Sequence, residues 1–240
     1  MRLAMWSGPR NLSTALMYAF ASRADCAVVD EPFYAAYLAR TGLDHPMQDA
    51  VIAAGETEPE AVIARLTGPV PGGKPIYYQK HMCHHMLDGF DRDWISACAN
   101  VFLIRHPARV AASFDARHEN PTLNDLGVPQ QNALFDEVTA RGLPALVIDS
   151  ADIRTNPRAA LSALCAALGL EFDPAMLSWP KGGRPEDGVW AAHWYAAVHA
   201  STGFAGPEGE LPVLPSRLQA VADAAMDAYQ RLHALRLMPG

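Results

Sequence analysis

Residues 2–14 read RLAMWSGPRNLST: a short apolar run, a turn on Ser7, Gly8 and Pro9, then Arg10, Asn11 and the hydroxyls of Ser13 and Thr14 opening a helical pattern. A strand that passes through a tight turn into a helix aims backbone N–H groups and the positive end of the helix dipole at one point. Arg10 adds a permanent, fork-shaped charge there, and the two hydroxyls add further donors. Gly8, Pro9, Arg10, Asn11, Ser13 and Thr14 therefore read as a site for phosphate or sulfate. The same residues also read as an ordinary helix start beside a solvated arginine. The turn is not a Walker A loop, because no Lys-Ser or Lys-Thr pair opens the helix and the second loop glycine is absent.

Outward from this turn, short apolar runs alternate with segments of helical period. The runs are residues 2–6, 26–30, 75–80, 100–104 and 144–149, each rich in β-branched or aromatic residues. Residues 12–22, 58–66, 108–117, 131–141 and 157–168 place apolar side chains at three- and four-residue steps. The last of these has Asn156 as N-cap, Pro157 at the first helical position and Gly169 as a stop. A further helix is predicted over 216–235, capped by Ser216. The alternation predicts an α/β domain spanning 1–240, a three-layer sandwich around a parallel sheet of about five strands. The Gly/Pro-rich stretches 68–75 and 179–188 read as surface loops.

Composition narrows the function classes. The 240 residues carry 19 Lys+Arg and 26 Asp+Glu, a formal charge of −7. An acidic chain is not built to coat nucleic acid, although a local anion pocket remains compatible with it. No run approaches the roughly 18 apolar residues of a membrane span, and no export signal opens the chain. Cys26, Cys83, Cys98 and Cys165 lack CxxC spacing, which fits reduced thiols in a cytoplasm.

A second anion-seeking element follows the 100–104 run: Arg105-His106-Pro107, then a helix carrying Arg109 and Ser113. Arg105 stands at the carboxyl end of a strand, the edge where open α/β sheets bind ligands. By itself it also reads as a structural ion-pair partner.

Taken together, the motifs resemble those of sulfotransferases that use 3′-phosphoadenosine 5′-phosphosulfate (PAPS), a P-loop-like nucleotide-binding family. The turn with Arg10, Ser13 and Thr14 looks like that family's 5′-phosphosulfate loop, and Arg105 to Ser113 resembles its 3′-phosphate site. The stretch VIDSADIRTNP with its following helix is similar to the family's fifth strand region. Where the family commonly has Ser-Gly-Thr-Thr directly after the basic residue, Asn11 and Leu12 intervene here. Lys181 and Gly182 faintly resemble the C-terminal loop over the 3′-phosphate. The resemblance implies sulfuryl transfer from PAPS to a hydroxyl or amine of a small-molecule acceptor, with no metal required. It implies no nucleic-acid or membrane partner, and neither the acceptor nor an oligomeric state is specified.

Such transfer needs fixed donors around the sulfuryl group and a base for the acceptor's proton. Arg10 and the first helix supply the former. Two residues compete as base. Glu31, beside Asp30 in DEPF, has a neighbouring acid able to raise its pKa. His81 follows Lys80 and titrates near neutrality by nature. Branches of the family use one or the other, but their His follows Lys-x, whereas Lys80 and His81 are adjacent and one strand step reverses the face. Lys80 is then a candidate for the bridging oxygen or the acceptor.

Other readings compete. In an extended segment His81, Cys83 and His85 share a face as a N/S/N set, without a fourth ligand at recognisable spacing. LIRHP resembles the Arg-His-Gly motif of histidine phosphatases, with His106 as nucleophile and Pro107 replacing the glycine. A nucleotide-binding scaffold without turnover is a third alternative. The aromatic string Trp190, His193, Trp194, Tyr195, His199 and Phe204 suits a helix on the core or the wall of a pocket.

Overall fold

The computed structural model describes residues 1–116 and 121–239. Its centre is a five-stranded sheet of β1 (Arg2–Ser7), β2 (Cys26–Asp30), β3 (Ile76–Met82), β4 (Ala99–Ile104) and β5 (Ala145–Asp149), in the order β2-β3-β1-β4-β5. All four pairings are parallel. The predicted strands hold to within two residues. Parallel strands covered on both faces read as continuous apolar runs, and all seven residues of β3 are buried.

The helices are α1 (Ser13–Ala21), α2 (Tyr34–Thr41), α3 (Gln48–Ala54), α4 (Pro59–Thr67), α5 (Pro107–Asp115), α6 (Val128–Ala140), α7 (Ser150–Thr155) and α8 (Pro157–Ala167), followed by the short turns α9 (Ala191–Trp194) and α10 (Ala196–His199), then α11 (Ser216–Ala224) and α12 (Met226–His233). They cover the sheet on both sides, giving the expected three layers. On one face Leu3, Met5, Tyr78, Val101 and Leu103 pack against Leu16 and Phe20 of α1 and Leu161 and Leu164 of α8. On the other, Trp6, Tyr77 and Phe102 meet Val62 of α4, Phe135 of α6 and Leu232 of α12.

Three expectations change. Helices α2 and α3 were not predicted, and neither was α7. The 216–235 helix breaks at Ala225, and its first residue is Ser216 with Pro215 in the cap position. The break lets Leu218 and Ala222 pack on α5 while Tyr229 and Leu232 turn to the sheet. Asn156 caps α8 as predicted, its Oδ1 accepting from the Ala159 N–H at 3.1 Å, and Gly169 follows at φ 70°. The predicted end of the 108–117 helix lies outside the described residues.

Candidate active site

Every strand is parallel, so every carboxyl end lies on one edge of the sheet. The chain leaves β1 toward β2 and leaves β4 toward β5, on opposite sides. The crevice between β1 and β4 is therefore the switch point where open sheets take ligands. The turn after β1 fills it. Arg10 (φ 61°) and Leu12 (φ 73°) hold left-handed backbone, which non-glycine residues rarely adopt, and this coils the turn tightly into α1. Leu12 occupies the cap position and brings no side-chain acceptor to the first turn of α1. Gly8 is required by close approach: a Cβ there lies 2.4 Å from the Leu126 carbonyl oxygen. Asn11 Nδ2 donates to the Leu103 carbonyl at 3.3 Å, stitching the turn to β4, while its Oδ1 is buried with no partner among the described residues. The Arg10 guanidinium lies between two rings, 5.3 Å from Phe114 and 4.8 Å from Trp194.

Arg105 links this turn to the second element. Its Nη1 donates to the Arg10 carbonyl at 2.6 Å, and its Nη2 meets the Glu208 carboxylate. Arg109 Nε (3.2 Å) and Arg154 Nη1 (2.8 Å) converge on the same carboxylate. A cavity of about 340 Å³ opens here, lined by Arg105, Arg109, Ser113, Glu208, Glu210 and Pro212. Arg105 and Ser113 thus share one cavity, and Arg105 is at the same time an ion-pair partner.

The third element is a buried charge cluster at the ends of β2 and β3. Lys80 Nζ donates to Asp30 Oδ1 (2.8 Å), Glu31 Oε1 (2.6 Å) and the Tyr195 hydroxyl (2.6 Å). Tyr195 in turn donates to Asp30 Oδ2 at 2.7 Å and accepts from Trp190 Nε1 at 3.1 Å. Burial pushes the Asp30 carboxyl up, against the pull of Lys80. Burial alone depresses the Lys80 ammonium, but Asp30 and Glu31 more than offset it and hold Lys80 above its ordinary value. Glu31 sits at φ 39°, a strained conformation that carries its carboxylate toward Lys80.

The structure separates other expected residues from this group. His81 points to the face opposite Lys80, 2% exposed, stacked on Trp6 at 4.5 Å with its Nε2 3.3 Å from Gln79 Oε1. Burial lowers its pKa to about 3, and its ring is enclosed by Trp6, Phe33 and Trp94, away from the Lys80 cluster. Lys181 is exposed between Ser178, whose carbonyl accepts from Ser22, and Arg184, which donates to the Ala21 carbonyl. Those anchors lie at the C-terminal end of α1. The chain also leaves β3 at Met82 for a 3₁₀ turn over Cys83–His85. The extended alternation that put His81, Cys83 and His85 on one face is therefore lost, and His85 stacks instead on Tyr34 and Tyr37. His106 is accounted for by capping: its Nδ1 accepts from the Ala108 N–H at 3.2 Å, and its ring lies against Tyr229.

Sequence reasoning missed Arg154 and Glu208 and did not assign Tyr195. The aromatic string held a signal for Tyr195, which packs with Trp190 in one cluster with Tyr34 and Leu38. Glu208 lies in coil with no periodicity to mark it.

Comparison with known proteins bears on the fold and the family. Two Arabidopsis thaliana proteins, branched-chain-amino-acid aminotransferase-like proteins 1 and 2, are 39% and 37% identical over 203 residues, 85% of this chain. The chain spans only 36% of the length of each of these relatives. The crystal structure of a sulfotransferase from Alicyclobacillus acidocaldarius has the same fold, with a TM-score of 0.58 at 14% identity over 99% of this chain and 98% of that one. Residues 1–236 match the family described as Sulfotransferase domain, and with that match over nearly its whole length the chain belongs to the sulfotransferase domain family.

Proposed function

We propose that the chain transfers a sulfuryl group from PAPS to a hydroxyl or amine of a small acceptor. The observation that carries this reading is the bond from Arg105 to the Arg10 carbonyl, which sets two arginine-bearing elements side by side on one sheet edge. A donor with a phosphosulfate at one end and a phosphate at the other suits two such elements. The α1 N-terminus without a side-chain cap suits a nucleotide phosphate chain. Arg10, Ser13 and Thr14 hold the 5′ end; Arg105, Arg109 and Ser113 hold the 3′-phosphate. No metal takes part in this scheme.

The acceptor's oxygen or nitrogen forms a bond to sulfur while the bond from sulfur to the 5′-phosphate oxygen breaks, releasing adenosine 3′,5′-bisphosphate. Arg10 and the first turn of α1 stabilise the charge that develops on the leaving oxygen. Glu31 takes the acceptor's proton, and Lys80 orients it by holding Oε1. Asp30 and Tyr195 fix Lys80 in turn.

Incubation with ³⁵S-labelled PAPS and a panel of alcohols, phenols and amines tests the reading. Label appearing in an acceptor with stoichiometric bisphosphate release supports it. Lack of binding by PAPS and by adenosine 3′,5′-bisphosphate at millimolar concentration overturns it.

A further inference from the structure

Three guanidinium groups, from Arg105, Arg109 and Arg154, meet one carboxylate, that of Glu208, whose side chain is 4% exposed. The segment bearing it is held by the same arginines. Arg154 Nε donates to the Gly206 carbonyl at 2.8 Å, and Arg109 donates to the Glu208 and Gly209 carbonyls at 3.2 and 2.5 Å. Apolar anchoring is weak nearby: Leu211 is 51% exposed and Val213 99%. The segment has no helix or strand between Phe204 and Ser216.

A single carboxylate is a poor match for three forks. It offers two oxygens and one negative charge, whereas a phosphomonoester near pH 7 offers three terminal oxygens and nearly two charges. We infer that Glu208 is an internal competitor for the phosphate end of the donor, so that binding exchanges its carboxylate for the 3′-phosphate and lifts residues 206–210 from the arginines. This rests on the PAPS reading above. The consequence is selectivity: only a ligand with a dianionic group at that position displaces the carboxylate, and a nucleotide lacking it gains nothing from the cluster. Glu208 then sets donor affinity and discrimination without touching the transferred group. Affinity for the bisphosphate is reduced in proportion to the fraction of chains in which the strap is closed.

Calorimetry with adenosine 3′,5′-bisphosphate and with adenosine 5′-monophosphate, on the unaltered chain and on Glu208→Gln, tests this. The variant is expected to bind the bisphosphate roughly 10-fold more tightly, with monophosphate affinity unchanged. Hydrogen exchange of residues 205–213 in the unaltered chain supplies a readout independent of the variant's folding. It should accelerate with the bisphosphate and not with the monophosphate. If the unaltered chain binds the bisphosphate, Glu208→Gln binds it no more tightly, and exchange in the strap stays unchanged, Glu208 is a structural clasp and the inference falls while the donor reading stands. If neither chain binds the bisphosphate, both fall.

Discussion

The Arg105 guanidinium donates to the backbone carbonyl of Arg10 at 2.6 Å, so the loop after β4 holds the turn after β1 in position. In the proposed scheme Arg105 is thereby both a phosphate-binding charge and a strut. Arg105→Ala should weaken adenosine 3′,5′-bisphosphate binding by about 10- to 100-fold, the scale of a lost charge-assisted hydrogen bond of about 1.5–3 kcal/mol. Arg105→Lys should restore only part of it, because an ammonium cannot serve the carbonyl and a phosphate with one planar fork. Calorimetric titration of both variants checks the order.

Glu31→Gln should lower kcat by roughly 100- to 10,000-fold, the usual contribution of a positioned base, and leave bisphosphate affinity near that of the unaltered chain. Steady-state kinetics beside equilibrium binding separates the two effects. An unchanged kcat would move the base elsewhere.

Lys80 is the shared counter-charge of two buried acids, Asp30 and Glu31, at 2.8 and 2.6 Å. Lys80→Met leaves them without a counter-charge and should cost about 3–5 kcal/mol of unfolding free energy. Adding Asp30→Asn to the same chain should recover part of the loss. Urea denaturation of the single and double variants measures it.

Burial holds His81 at a pKa of about 3, below the ordinary 6.5. A folded-state pKa that is depressed means the neutral form is favoured by folding. Its contribution is full above pH 6.5 and is lost as pH falls from there toward 3. Each such histidine steepens the fall in stability by about 1.4 kcal/mol per pH unit in that window. His81→Phe, which keeps the ring against Trp6, should flatten the pH dependence between pH 6 and 4 without altering turnover at pH 7.5. Denaturation midpoints across that range test the first half, and kinetics the second.

His106→Ala removes the acceptor for the Ala108 N–H and should cost about 1 kcal/mol, as helix caps do, with sulfuryl transfer retained. His106→Asn should recover most of that stability. A phosphomonoesterase activity abolished by His106→Ala would instead revive a nucleophilic histidine.

Much of the sheet was legible because a buried parallel strand leaves a short continuous apolar run, as CAVVD does at 26–30. The capping residues of α8 were legible for a local reason too, since Asn156, Pro157 and Gly169 each act within one turn of chain. Helices α2 and α3 were not: YAAYLART and QDAVIAA are short and dense in alanine, and their pattern emerges only once Tyr34, Leu38 and Val51 meet Trp190. For the site, alternation along β3 already stated that Lys80 and His81 face opposite ways. Which face held the acids is a tertiary fact. Tyr195 reaches Lys80 across 115 residues and Glu208 reaches Arg105 across 103, distances over which no local pattern carries information.

The order of the strands has a last consequence. The proposed base rises from β2, at the margin of the sheet, whereas the anion turn rises from β1 in its middle. In the proposed transfer the two reaction partners are thus gripped by separate parts of the scaffold, so exchanging residues of α2 and α3 is expected to retune what is sulfated and leave the grip on the donor intact.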